Sequence, residues 1–256
     1  MYYLKAHLRV VSAFIIREMA TRYGRSPGGY LWAFLEPIAF IAIMSVLMGA
    51  LGRMPPKGDS FTLFYATGFI AFNMYKGMLG YVTSSVSANK NLMTFPTVAP
   101  IDAVVGRVIL EGATSVVVAT IILFAASFTA RYPFSVEWSK IIEATALAWL
   151  LAMGVALANI VLFARFPLYQ KTFDIVMRPL FLLSGVFFNV ADMPAGARNI
   201  LLWNPVAHVV ILFRQGFYGD AGTDYVDVQF LAETSCTALM VGMMLFTFFS
   251  VARLQD

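Results

Sequence analysis

The sequence predicts an all-α polytopic membrane protein, and three observations predict it. Sixty per cent of the 256 residues are hydrophobic and only 12% are charged, with a mean hydropathy of +0.76. A soluble domain of this size needs a larger polar surface. Apolar runs of about 20 residues, long enough to cross a hydrocarbon core of about 30 Å, recur along the chain. Lys and Arg also segregate between alternate loops, as they do around membrane spans.

The elements follow in order. Residues 4–23 predict an amphipathic helix lying at the membrane interface, because Leu4, Leu8, Val11, Ile15 and Met19 share one helical face. Lys5, Arg9 and Arg17 lie off that face, suited to anionic headgroups, although Val10 and Ile16 intrude on the polar side. Ser26-Pro27-Gly28-Gly29 breaks the helix. Six spans are then predicted over residues 30–51, 61–86, 104–128, 141–163, 174–190 and 230–252. The fifth is short, with Arg178-Pro179 near its start. Between the fifth and sixth lies a stretch cut by Asn204-Pro205, His208 and Arg214. It is too short and too polar to cross, and suits re-entrant helices whose backbone is buried in protein or lines a wet cavity.

Orientation follows from the loop charges. With the N-terminus inside, eleven of the 18 Lys and Arg fall on the cytoplasmic side, six fall outside, and Lys76 lies within a span. Both termini are therefore expected in the cytoplasm, and the acidic loop carrying Asp192, Asp220, Asp224 and Asp227 outside.

Several chemistries are poorly supplied. The one cysteine, Cys236, cannot form an intrachain disulfide or a thiolate cage, and His7 and His208 are far apart. No metal motif and no GxxxxGK[ST] phosphate loop occurs. An intramembrane transferase needs clustered acids, histidines or metal ligands at one depth, and the chain offers too few. A passive channel is also disfavoured. No catalytic residue and no metal ligand is assigned.

The intramembrane charges come first among functional candidates, since each is costly unless paired or wet. Arg107 and Glu111 lie four apart on one helical face and can pair, either pinning the third span or facing a conduit. Glu36 and Lys76 sit in neighbouring spans and can pair with each other, or Glu36 with Arg22 and Arg25. The connection 87–100 holds Asn89, Lys90, Asn91, Leu92, Pro96 and Pro100, with Asp102 just beyond; a stiff inner loop is where a partner's force can be received. Tyr30, Trp32, Phe64, Tyr65, Trp138, Trp149 and Trp203 lie near proposed span ends and fit interfacial belts, although ring faces also stack on sugars.

These residues resemble a known family. Arg17-Glu18, Thr21-Arg22-Tyr23-Gly24, Gly29-Tyr30-Leu31-Trp32-Ala33 and Leu35-Glu36-Pro37 form a first block. Pro96, Pro100-Ile101-Asp102, Arg107 and Glu111 form a second, and Leu201-Leu202-Trp203-Asn204-Pro205 with His208-Val209-Val210 a third. Together they look like the permease subunit of ABC exporters of capsular polysaccharide, with O-antigen permeases as relatives. The resemblance implies a homodimer in the bacterial inner membrane, driven by two separate ABC ATPase subunits that bind ATP and Mg, with no cofactor in this chain. It implies a lipid-linked anionic polysaccharide as substrate, a periplasmic co-polymerase-type adaptor and an outer-membrane export channel as partners, and no nucleic acid. It assigns ATPase coupling to Asn89, Lys90, Asn91, Leu92, Pro96, Pro100 and Asp102. Arg17, Glu18, Arg22, Tyr23 and Glu36 become gate residues on and after the interfacial helix. Trp203, Asn204, Pro205 and His208 become a periplasmic re-entrant cap. An ABC permease for O-antigen, a drug or another small lipid-linked substrate is the alternative.

Overall fold

A computed structural model describes residues 2–22, 29, 31–95, 98–131, 135–220 and 225–249. Among them every regular element is helical. The helices are α1 (Tyr2–Arg22), α2 (Leu31–Ala50), α3 (Phe61–Thr83), α4 (Ser85–Ala88), α5 (Pro100–Ser127), α6 (Trp138–Arg165), α7 (Pro167–Leu182), α8 (Ala195–Leu201), α9 (Pro205–Tyr218) and α10 (Val228–Phe248).

Helix starts have local causes. Ser60 Oγ accepts from the Leu63 amide at 3.3 Å at the head of α3. Pro100 opens α5, where a missing N–H costs nothing, and Asp102 Oδ2 accepts from the Ala99 amide at 3.0 Å. Asn204 caps α9 through the Val206 amide at 3.0 Å and Pro205 follows it, while Asp227 caps α10 through the Phe230 amide at 2.8 Å.

α2, α5, α6 and α10 are long and apolar enough to cross a membrane. The pair α8 and α9 meets the same test together but bends by 101° between them, as a broken span or a re-entrant loop does. α3, read from the sequence as the second span, has 23 residues but is not among the helices apolar enough. It carries Asn73 and Lys76, which it can afford because it is the central helix: Phe64, Tyr65 and Met78 are fully buried. The fifth expected span is displaced. Pro167 suits a first helical position, so α7 begins there and stops at Leu182, and the chain turns through Gly185 at φ +73°.

α6 packs most extensively on α10, then on α3 and α9. Gly154 and Gly242 make the α6–α10 contact close: a Cβ on Gly154 would fall against the backbone of Ala238 and Leu239. Small residues at such a crossing let two membrane helices gain van der Waals contact.

The aromatic belt needs correction. Phe64 and Tyr65 are 0% and 1% exposed, so they belong to the core and not to a lipid-facing girdle. Trp32, Trp138 and Trp203 are exposed, Trp149 is half-buried, and Tyr30 lies outside the described residues.

Candidate functional site

Helix α1 packs along α5. Its buried side is centred on Phe14 and Glu18, four residues apart, and Gly106 of α5 makes room for Phe14. A carboxylate in that position has to find partners as it leaves water. Glu18 Oε2 accepts from the Tyr81 hydroxyl at 2.8 Å, and Oε1 accepts from Asn89 Nδ2 at 2.9 Å and from Arg107 Nε at 3.0 Å. The Glu18–Arg107 ion pair closes at 2.9 Å, with both side chains 7% exposed. Burial alone would raise the Glu18 pKa; hydrogen bonds from Asn89 and Tyr81 and the charge of Arg107 outweigh it, and hold the carboxyl below its ordinary range.

Arg107 reaches further. Its Nη1 donates to Tyr81 O at 2.8 Å and Ser84 Oγ at 2.6 Å, and the guanidinium lies 4.5 Å from the Tyr81 ring centroid. Arg17 Nη1 donates to Asn89 Oδ1 at 2.6 Å, and Asn89 Nδ2 also donates to Ser85 O at 2.8 Å. Nearer the start of α1, His7 Nδ1 stands 2.9 Å from Asp102 Oδ1. Two points on α1, about 16 Å apart along its axis, are therefore pinned to α5, and the second also holds the end of α3 and the turn after it.

Beyond Asn89 the connection faces outward. Lys90, Asn91, Thr94 and Phe95 are exposed, and Leu92 is half-buried in a 3-10 turn spanning Lys90–Leu92. Phe95 is an exposed aromatic on a polar loop.

A second constellation surrounds Arg214 of α9, which is 4% exposed. Nη1 donates to Gly185 O at 2.6 Å, Nη2 donates to Val186 O at 2.8 Å and Phe64 O at 3.3 Å, and the Phe64 ring centroid lies 3.9 Å away. One arginine thus ties the turn after α7 to α3 and α9. Asn204 Nδ2 adds donations to Leu183 O and Ser184 Oγ, both at 3.2 Å. His208 is 2% exposed; its Nδ1 accepts from the Asp227 amide at 3.0 Å, so Nε2 is the donor to Leu202 O at 2.8 Å. That bonding is structural. Trp203, at the bend, is 80% exposed.

Within the helices, Glu36, Lys76 and Glu111 line one cavity of about 400 Å³ between α2, α3 and α5, with Asn73, Thr114 and Ser115. A Cβ on Gly77 would stand 2.6 Å from Glu111 Oε1, so the glycine makes room for the carboxylate.

The family model for ABC-2 type transporters matches residues 9–218. The chain belongs to the ABC-2 type transporter family. It is similar to the polysialic acid transport protein KpsM of Escherichia coli, 30% identical over 236 residues that cover 92% of each chain. It is also similar to the capsule polysaccharide export inner-membrane proteins BexB of Haemophilus influenzae and CtrC of Neisseria meningitidis. These are 30% identical over 249 residues and 28% over 243, each alignment covering 94% of this chain and 91% of the relative.

In this ABC-2 transporter the expected gate and coupling residues converge in part. Arg17, Glu18, Asn89 and Arg107 form one network. Arg107 makes its ion pair with Glu18 on α1, where the sequence reading expected Glu111 one turn along α5; Glu111 lines the polar cavity instead. Asp102 is a correction of a different kind. At 3% exposure it braces the start of α5 and His7 and offers no docking surface. Glu36 and Lys76 share a cavity, but neither makes an ion pair among the described residues. Arg22 closes α1, while Tyr23, Arg25 and Pro96 lie outside the described residues. His7, Tyr81, Ser84 and Arg214 were missed. For Arg214 a signal existed: it stands in the apolar run of α9 with no acid within that helix.

Proposed function

We propose that this chain is the membrane subunit of an ATP-driven exporter that carries lipid-linked, anionic capsular polysaccharide across the bacterial inner membrane. Membership of the ABC-2 type transporter family supports the transport class. The likeness of nearly the whole chain to proteins named for polysialic acid transport and capsule polysaccharide export supports the substrate class. The chain is not itself the motor, since its sequence carries no phosphate loop. Two copies of a separate ATPase bind ATP and Mg and act on a homodimer of this chain. A periplasmic adaptor and an outer-membrane channel receive the polymer.

The observation that carries the mechanism is the Glu18–Asn89–Arg107 network. The exposed face of Lys90, Asn91 and Phe95 is where the ATPase presses. Asn89 hands the displacement to α1 through Arg17 and Glu18, and Glu18 hands it to α5 through Arg107. A loop without those buried bonds would flex under load and transmit little. In the same reading six segments cross the membrane with both termini in the cytoplasm. α8 and α9 form a re-entrant cap on the periplasmic side, held by Arg214 and Asn204.

Deleting the gene in its native host and restoring it on a plasmid tests this reading. Loss of surface capsule with polymer accumulating inside, reversed by the plasmid, is the expected result. Unchanged surface capsule, or retention of O-antigen in its place, overturns it.

A further inference from the structure

Helices α2, α3 and α7 meet in one aromatic cluster. The ring centroid of Phe40 on α2 lies 4.5 Å from that of Phe69 on α3 and 5.6 Å from that of Phe181 on α7, and Phe181 lies 4.9 Å from Phe72 on α3. About one helical turn from these rings, on the side the export reading places toward the cytoplasm, each helix carries a charge. Glu36 stands four residues before Phe40, Lys76 four after Phe72, and Arg178 three before Phe181, with Asp174 a further turn along α7. Lys76 joins the set. It lines the cavity that holds Glu36, and with Asp174 and Arg178 it lines a larger one, of about 1040 Å³, between α3, α6 and α7.

This layer of charge is balanced but unmade. Two cations and two carboxylates cancel, and none of the four makes an ion pair or hydrogen bond among the described residues. Charges at membrane depth are costly unless paired or wet, so the arrangement holds only while the cavities contain water. The helices that carry it are built to bend. Glu36 immediately precedes Pro37 inside α2, and Arg178 immediately precedes Pro179 inside α7. A proline inside a helix removes a backbone hydrogen bond and makes a kink point. Both kink points separate a charge from a ring of the cluster. Beyond them little is locked by packing: no residue of α7 and none of Leu31–Glu36 is buried.

We propose that Glu36, Lys76, Asp174 and Arg178 form an electrostatic latch, and that the arrangement described is its open form. To close it, the segments of α2 and α7 before the two prolines swing about the phenylalanine cluster, which acts as the fulcrum. Glu36 then pairs with Arg178 across the groove, and Lys76 pairs with Asp174. Closing expels water from the cavities and exchanges the hydration of four charges for two ion pairs. Those two states are close in free energy, because desolvation offsets most of the attraction between buried charges. A small push on α3 or α5 from the ATPase side is therefore enough to move the balance. The latch takes from the export reading only the membrane orientation of these helices.

The test is hydrogen exchange on the complete transporter with its ATPase in nanodiscs, nucleotide-free and trapped with ATP. Exchange over Leu31–Glu36 and Tyr169–Arg178 should differ about tenfold between the two states. Glu36→Arg and Arg178→Glu should each abolish that difference, and the swap Glu36→Arg/Arg178→Glu should restore it to within about threefold, a rescue that a merely structural role does not produce. Lys171→Glu, on α7 but outside the cavity lining, should leave it intact. Pro179→Ala keeps all four charges and straightens α7, and should also flatten the difference, so the latch stays testable if a single reversal fails to fold. Equal exchange in the two states of the wild-type protein overturns the proposal. So does a folded swap variant that shows no rescue, or a Glu36→Arg variant that keeps the full difference. No readout here involves polysaccharide: loss of surface capsule on gene deletion with equal exchange in both states removes the latch and leaves the export reading intact.

Discussion

Replacing Glu18 by Gln removes a charge from a carboxylate that accepts from Asn89, Tyr81 and Arg107 at once. The amide keeps the shape but turns one acceptor into a donor, now facing Tyr81 or Arg107, which are donors themselves. Glu18 and Arg107 are each 7% exposed, so the guanidinium is left with a buried, uncompensated charge. Breaking such a pair from one side costs about 3–5 kcal/mol. Arg107 retains Tyr81 O and Ser84 Oγ, which places the cost near the lower end, about 3 kcal/mol. At about 1.4 kcal/mol per decade, the docking equilibrium of α1 on α5 shifts by about two orders of magnitude. Hydrogen exchange on the assembled transporter reads this directly, as faster exchange in the second half of α1 and around Ser85–Asn89 with little change in α6 and α10. Export should fall while ATP hydrolysis continues. Tyr81→Phe, which removes one hydrogen bond and no charge, should lose about 1 kcal/mol and most of its effect should be on exchange. Unchanged exchange in α1 together with full export in Glu18→Gln would refute the transmission argument.

Three further outcomes are expected. Because the Glu18 pKa is depressed in the folded state, its contribution is complete above the ordinary glutamate range and disappears as pH falls through the lowered value, so α1 exchange should accelerate only in acid and the Glu18→Gln variant should show no such step. Arg214→Met leaves the carbonyls of Gly185 and Val186 without their donor, while Phe64 O keeps Thr67 Oγ1, and should lower stability by about 3 kcal/mol, measured as the thermal unfolding midpoint in detergent; an unchanged midpoint would mean the clamp is dispensable. Gly154→Val pushes a side chain into the Ala238–Leu239 backbone and should cost about 1–3 kcal/mol or abolish folded protein in size-exclusion profiles, whereas an exposed glycine with open space around it, Gly49, should accept alanine.

Docking of the ATPase is better probed at Lys90 and Phe95 than at Asp102. The sequence placed all three near one polar connection, and only packing shows that Asp102 points inward to the α5 start and His7 while the other two face out. The same limit explains Arg107. A spacing of four residues permits a pair with Glu111, but it is silent about a carboxylate 89 residues away that the packing of α1 on α5 brings to 2.9 Å from Arg107. A position near a span end is compatible with either lipid or core for Phe64 and Tyr65, and the packing of α3 against its neighbouring helices buries both.

What the sequence determined by itself is the solvent. Its hydropathy suits α2, α5, α6 and α10 to lipid, and its proline and asparagine positions start α5, α7 and α9. Those properties are local or compositional, so they survive without knowledge of the fold. Tertiary structure decided the pairings: Glu18 with Arg107, Arg214 with the turn after α7, Lys76 between two cavities. Each depends on which helix faces lie against each other. Long-range contacts are settled by how buried charges find the fewest unsatisfied neighbours, and no short window of sequence carries that information.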